Sequence, residues 1–369
     1  MKKSAICFFI GTEAELIKIF TVIRELKSGG ADCRIISSGQ NDISKSRALF
    51  YANGGHIDVL LSDEAGITKT AAGLLKWFLS TMKQAKKMIR ESLSDIDFSQ
   101  SVMVVHGDTV STVMGAKTGK ALGMRVAHIE AGLRSHHLLR PFPEEINRQI
   151  TSRFARIHFA PDDEAEGNLK KARGTVVNTH YNTIIDSIAV AKSMPCQTKR
   201  VEELRKTDYF VLVLHRQENL ANTALMEKMV RQAEKAAQTL PCVFVMHKPT
   251  EMALKAMGLY DAVAGHPGMI LLPRTDYFDF TALLSSAKFV ISDGGSNQEE
   301  LYYMGKPCLI IRTHTERSHG LGENALLFNN DDGMVAPFIQ NYHHYRREPV
   351  TPGVSPTAII SDYLKTMIK

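Results

Sequence analysis

Ser101-Val102-Met103-Val104-Val105-His106-Gly107-Asp108-Thr109 is the stretch whose reading decides the fold. Four consecutive apolar residues, too few for a helix, run into a histidine, a glycine and an acid, and a helical pattern over 109–122 follows. Strand, polar turn, helix is the unit of a parallel sheet, and open α/β sheets place their chemistry beyond the carboxyl ends of the strands. The pattern recurs at once. His128-Ile129-Glu130-Ala131-Gly132-Leu133-Arg134 ends the apolar run 125–129, and Pro143-Glu144-Glu145-Ile146-Asn147-Arg148 comes before the run 155–160. Acids, histidines and arginines gather at strand ends with small residues between them, as a site requires and an ordinary loop seldom does.

Outward from there, short β-rich runs alternate with longer amphipathic stretches along the whole chain. Strands are predicted at 4–10, 33–38, 101–106, 125–129 and 155–160, then at 209–214, 242–246, 269–273, 288–292 and 307–311. Helices are predicted at 14–28, 66–94, 109–122, 221–238 and 276–286, with a last one near 356–368 after the Pro349–Gly353 break. Two sets of strands in 369 residues predict an α/β protein of two Rossmann-like, doubly wound lobes with the active site in the cleft between them. The boundary is expected between 170 and 205, after Lys170-Lys171-Ala172-Arg173-Gly174 and near Asn182-Thr183-Ile184-Ile185-Asp186, giving lobes of 1–175 and 176–354.

Composition narrows the function. A net charge of +6 is mild and spread out, and Lys83–Lys87 and Tyr345–Arg347 read as solvated faces, so no nucleic-acid partner is expected, whereas an anionic small molecule suits it. Five cysteines, an odd number without a CxxC pair, four of them in or beside apolar runs, predict reduced thiols, no metal site and a cytoplasmic protein. No apolar run approaches the ~20 residues of a membrane span, and the run Ala5–Ile10 is too short for a signal peptide, so no membrane partner is expected.

Other strand ends add candidates. Gly11-Thr12 opens a helix where glycine lets a ligand approach the backbone, although Glu13 and Glu15 read equally well as first-turn acids complementing the helix dipole. Neither a GxGxxG nor a GxxxxGK[ST] motif is present, which leaves no dinucleotide or P-loop signature. Asp293-Gly294-Gly295-Ser296-Asn297-Gln298-Glu299-Glu300 follows a strand and opens a helix. It is either a phosphate cradle with Glu300 one turn along near ribose hydroxyls, or a glycine turn capped by Ser296 with Glu299 at its third position. His215-Arg216 and His247-Lys248 end successive strands and are placed for an anion or for acid/base work, and Thr315-Glu316-Arg317 adds a cation. Carboxylates thus fall in the first lobe and phosphate-binding groups in the second, which points to a nucleotide-linked substrate with its reacting sugar toward the acids.

Gly11-Thr12-x-x-Glu15 with Ile17-Lys18, His106–Thr109, His128–Arg134, Pro143–Arg148, His215-Arg216-x-Glu218-Asn219, Asp293–Glu300 and Thr315–Arg317 together resemble, in order and over about 10 to 328, the UDP-N-acetylglucosamine 2-epimerases of the non-hydrolysing bacterial type. The resemblance implies a GT-B fold, a final helix 355–369 packing back on the first lobe, UDP held mainly by the second, a homodimer, and no cofactor. The implied reaction interconverts UDP-N-acetylglucosamine and UDP-N-acetylmannosamine, for bacterial surface polysaccharide, by eliminating UDP to a 2-acetamidoglucal and adding it back. By position, Asp108, Glu130 and Glu144 would be the acid/base carboxylates, with His215 assisting near the leaving diphosphate. Lys18, Arg134, His247, Phe278, Gly294, Gly295, Ser296, Glu300 and Arg317 would hold UDP or the sugar. This chain departs from the family pattern in four places: Glu13-Ala14 stands for Arg-Pro, Asp293-Gly294-Gly295-Ser296 for Asp-Ser-Gly-Gly, Gln40-Asn41 for Gln-His, and Gln217 for an arginine.

Four other readings fit parts of the pattern. Tyr277-Phe278-Asp279-Phe280 resembles relatives acting on a UDP-2,3-diacetamido uronic acid. Ala14-Glu15 echoes hydrolysing epimerases that release UDP and N-acetylmannosamine, against which stands the ending Gln298-Glu299-Glu300. A glycosyltransferase would share the UDP cradle but has little use for so many acids, and a non-enzymatic sugar-nucleotide sensor would explain only Glu13 and the altered cradle.

Overall fold

The computed structural model describes residues 2–63, 71–135, 142–315, 318–331 and 333–368. The chain divides into two compact units, Met1–Ser187 with Pro352–Lys369, and Ile188–Thr351. The first unit runs on to Ser187, beyond the expected limit at 175, because a strand at Thr175–Asn178 pairs with its sheet and the Ser187 hydroxyl donates to the Ile17 carbonyl at 2.7 Å.

The first unit is built on seven parallel strands: β1 (Ile6–Ile10), β2 (Cys33–Ser37), β3 (Val59–Leu60), β4 (Val102–His106), β5 (Arg125–Ile129), β6 (Ile157–Ala160) and β7 (Thr175–Asn178), in the order β3-β2-β1-β4-β5-β6-β7. β1 and β4 are buried along their full length, as expected of central strands covered on both faces. The order reverses between β1 and β4, the switch point at which open sheets bind ligands.

The second unit repeats the plan with β8 (Phe210–Val213), β9 (Cys242–Met246), β10 (Met269–Pro273), β11 (Val290–Ser292), β12 (Cys308–Ile310) and β13 (Ala325–Leu327), in the order β10-β9-β8-β11-β12-β13, with its switch between β8 and β11. All ten predicted strands are present. β3, β7 and β13, absent from the prediction, are short edge strands whose apolar runs are too brief to register. The helix predicted over 66–94 is described at Ala71–Ser92, and residues 66–70 lie outside the described residues.

The returning segment ends in the helix Pro356–Lys365, which belongs to the first unit. Asp186 fastens it there, accepting from the Ser355 hydroxyl and the Thr357 amide, both at 2.8 Å. The Thr21 and Thr357 hydroxyls meet at 2.9 Å, and Tyr363 packs edge-on against Phe159.

Candidate active site

The first unit's polar groups converge at the β1/β4 switch. A Cβ on Gly11 would lie 2.1 Å from Ser111 Oγ, so only glycine lets the loop after β1 pass this close to the helix after β4. Thr12 caps the helix Glu13–Ser28 in a reciprocal capping box with Glu15. Glu15 turns inward. Its Oε2 accepts from the Gly11 amide at 2.6 Å and the Thr12 amide at 2.9 Å, while Thr109 donates to Oε1 at 2.5 Å. Burial keeps the Glu15 carboxyl above the usual range despite these donors. Glu15 therefore ties the β1 loop to the β4 loop, a role neither sequence reading gave it. Glu13 is half-buried on the first helical turn.

One turn further, Lys18 Nζ lies 2.5 Å from Glu130 Oε2, and His106 Nε2 lies 3.0 Å from the same oxygen. All three side chains are buried, that of Glu130 at 7% exposure. Glu130 holds φ at +62°, a left-handed backbone that a non-glycine residue adopts at some cost, often at functional sites.

Asp108 receives Arg148 at Oδ2 through Nε at 2.9 Å and Nη2 at 2.6 Å, and Asn147 donates to its carbonyl at 2.9 Å. Arg148 Nη1 also reaches Glu145 at 3.5 Å, and Arg134 reaches Glu145 at 3.8 Å while donating to the Leu133 carbonyl at 2.7 Å. Burial would raise the Glu145 carboxyl, but the Ser135 amide, Gln149 and the two arginines hold it below its ordinary value. Its neighbour differs: Glu144 Oε2 is buried and has no hydrogen-bond partner among the described residues. His128 Nε2 donates to the Gly107 carbonyl at 2.7 Å, and burial drives its imidazole down to about 3, so it stands neutral in the sheet as a support for the Asp108 turn.

In the second unit a buried acid organises the β8/β11 switch. Asp293, fully buried, accepts from the backbone amides of His215 at 3.0 Å and Arg216 at 3.0 Å and from Asn219 Nδ2 at 3.1 Å, and its Oδ1 lies 3.0 Å from His215 Nδ1. Burial opposes its ionisation, yet His215 and these donors bring its carboxyl below the usual range. The ring of His247 stacks on that of His215 with centroids 5.0 Å apart, and burial, then His215 and Arg274, lower His247 to about 4.

The helix Gly295–Tyr303 begins at Gly294, whose own Cβ would meet Asn297 Oδ1 at 2.2 Å and His215 Cε1 at 3.2 Å. Among the described residues no side chain caps it: Ser296 is exposed in the first turn and makes no capping hydrogen bond, against the capped-turn reading. Glu299 and Glu300 are buried, and burial together with the Glu300 charge drives Tyr277 well above its ordinary range. Phe278 is also buried, edge-on to Tyr277, and its amide is taken by Asp276 Oδ1 at 2.8 Å. Arg317 lies outside the described residues.

In the first unit, then, Lys18 and Glu130 join, and Asp108 and Arg134 join through Arg148 and Glu145. In the second, His215, His247 and Gly294 join. Three supporting residues were quoted in motifs without a role, Asn147, Arg148 and Asp293, and Glu15 was read only as a first-turn acid. The spacing of Asn147 and Arg148, three and four residues after Glu144, places all of them on one helix face and was a usable signal. Asp293 was not readable, since its partners depend on β8 and β11 being neighbours.

Two units, each a parallel sheet with polar groups at its topological switch, define the GT-B class of fold. The chain belongs to the UDP-N-acetylglucosamine 2-epimerase family, whose model matches residues 24–341. It is 29% identical over 340 residues to UDP-N-acetylglucosamine 2-epimerase of Methanocaldococcus jannaschii, covering 88% of this chain and 89% of that protein. It is 28% identical over 341 residues to the Bacillus subtilis enzyme, covering 90% of this chain and 85% of that protein. The crystal structure of UDP-GlcNAc 2-epimerase from Neisseria meningitidis bound to UDP-GlcNAc superposes with a TM-score of 0.81 at 23% identity, covering 98% and 100% of the two chains. The chain is thus an isomerase of the UDP-sugar 2-epimerase family. Among the described residues no group of side chains could hold a metal ion, and no helix is long and apolar enough to cross a membrane.

Proposed function

We propose that this protein interconverts UDP-N-acetylglucosamine and UDP-N-acetylmannosamine without hydrolysis. The observation that carries the reading is the set of carboxylates at the ends of the adjacent strands β4 and β5 and on the helix that follows, Asp108, Glu130 and Glu144, each in a different hydrogen-bonding environment. Groups in different environments divide acid from base work. One carboxylate removes the C2 proton as the C1–O bond breaks and UDP leaves, giving 2-acetamidoglucal. UDP then returns to C1 while another group protonates C2 on the opposite face. His215, oriented by Asp293, serves the leaving diphosphate. Lys18, Arg134, His247, Phe278, the Gly294–Ser296 turn, Glu300 and Arg317 hold the nucleotide and sugar.

Incubation with UDP-N-acetylglucosamine in D2O tests this. The expected result is deuterium at C2 in a mixture of gluco and manno UDP-sugars, with no free UDP at the rate of turnover. Stoichiometric free UDP would identify a hydrolysing enzyme, and turnover of only a 2,3-diacetamido uronic acid would move the substrate.

A further inference from the structure

His106 is a buried imidazole that the proposed mechanism leaves without a task. It is 3% exposed, its Nε2 lies 3.0 Å from Glu130 Oε2 in an ion-pair contact that lacks hydrogen-bond alignment, and neither ring nitrogen has a hydrogen-bond partner among the described residues. Thr112 fixes the backbone at this point, donating to the His106 carbonyl at 2.7 Å. The titratable groups near the ring are Glu130, Glu15 and, from β5, the neutral His128, while Lys18 shares the Glu130 oxygen.

A carboxylate that exchanges a proton with carbon must be reset between turnovers. Glu130 is too deeply buried for easy exchange with water, and the His106 imidazole is a proton acceptor 3.0 Å from its Oε2. We propose that His106 is the proton partner of Glu130, a positioning residue that takes the proton from Glu130 and returns it, and this rests on the epimerase reading above. In the transfer, the ring turns to align Nε2 with the Oε2–H across the 3.0 Å contact, the Oε2–H bond breaks and an Nε2–H bond forms, turning a neutral acid–imidazole pair into a carboxylate–imidazolium pair. The neutral ring must therefore carry its hydrogen on Nδ1. Lys18, on the same oxygen, stabilises the carboxylate form and so favours handing the proton on.

The substitution H106Q keeps the size and a polar end but cannot accept a proton from a carboxylic acid. It is expected to lower kcat at least tenfold, with KM within about twofold, a melting temperature close to wild type, and a changed pH profile of kcat. H106N provides a second variant. In parallel, the Nε2 resonance of His106 in nitrogen-15 histidine-labelled, ligand-free protein should move when Glu130→Gln is introduced. Unchanged kcat in a folded H106Q protein, or an Nε2 signal indifferent to Glu130→Gln, overturns the proposal. The spectra report on the pair whether or not any UDP-sugar is turned over, so failure of the epimerase reading is distinguishable from failure of this one.

Discussion

Glu144 and Glu145 are adjacent acids that no residue-level rule separates, and the structure gives them opposite environments. Glu145 is held by the Ser135 amide at 2.9 Å with Arg134 and Arg148 close by, whereas the buried Glu144 Oε2 has no hydrogen-bond partner among the described residues. E145Q should therefore cost about 1–3 kcal/mol of stability, since a buried network loses its charge. E144Q should leave stability within about 0.5 kcal/mol of wild type while lowering kcat at least about a hundredfold. Urea unfolding and steady-state kinetics on the pair check both, and the reverse assignment would exchange their roles. Asp293 predicts a third outcome. D293N turns an NH2 toward donors that now meet a carboxylate, so kcat should fall about ten- to a hundredfold as His215 loses its orientation. Activity at the wild-type level in D293N would remove that role from the acid.

Strands β5 and β6 place His128 beside His158 at the same register position, both inside the sheet. Burial lowers both imidazoles, His128 to about 3 against an unfolded value near 6.5. The unfolded chain therefore binds more protons than the folded one between those values, and stability, fully present above about 6.5, is lost as pH falls toward about 3. His128 contributes a slope of roughly 1.4 kcal/mol per pH unit in that window, and His158 acts in the same direction. Trp77, the single tryptophan, lies in the first unit's core, so its fluorescence follows that unit's unfolding. H128Q, which keeps the donor to Gly107, should flatten the pH dependence between 6 and 4, and an unchanged slope would exclude His128 as its source. Sequence patterns reached these elements unevenly. Long apolar runs such as Ile6–Ile10 announced central strands, while the two-residue β3 depends on pairing with β2 and carries no pattern of its own. The strand-end acids were legible because polar residues there break an apolar run. Glu15 was legible only as a first-turn acid complementing the helix dipole, because its contact with Thr109 joins positions 94 apart and depends on β1 lying next to β4.

At the scale of the whole molecule, the first unit is discontinuous in sequence and is closed by the helix Pro356–Lys365. Ile360 and Leu364 on that helix are fully buried. Burial of two such side chains contributes about 3–6 kcal/mol, so deleting 352–369 should lower the midpoint of the Trp77-monitored transition strongly. D186N, which weakens only the tie to Ser355 and Thr357, should cost about 1–2 kcal/mol; equal midpoints for wild type and the deletion would show that the helix is dispensable. The same discontinuity sets an order of events at the ribosome. Residues of the first unit up to Ser187 emerge early but wait for their last helix until all of Ile188–Thr351 has been synthesised, a delay on the order of ten to thirty seconds at ordinary elongation rates. Throughout that interval the face of the helix Glu13–Ser28 that Pro356–Lys365 covers stays open, and slowing translation late in the message would lengthen its exposure to chaperones and proteases.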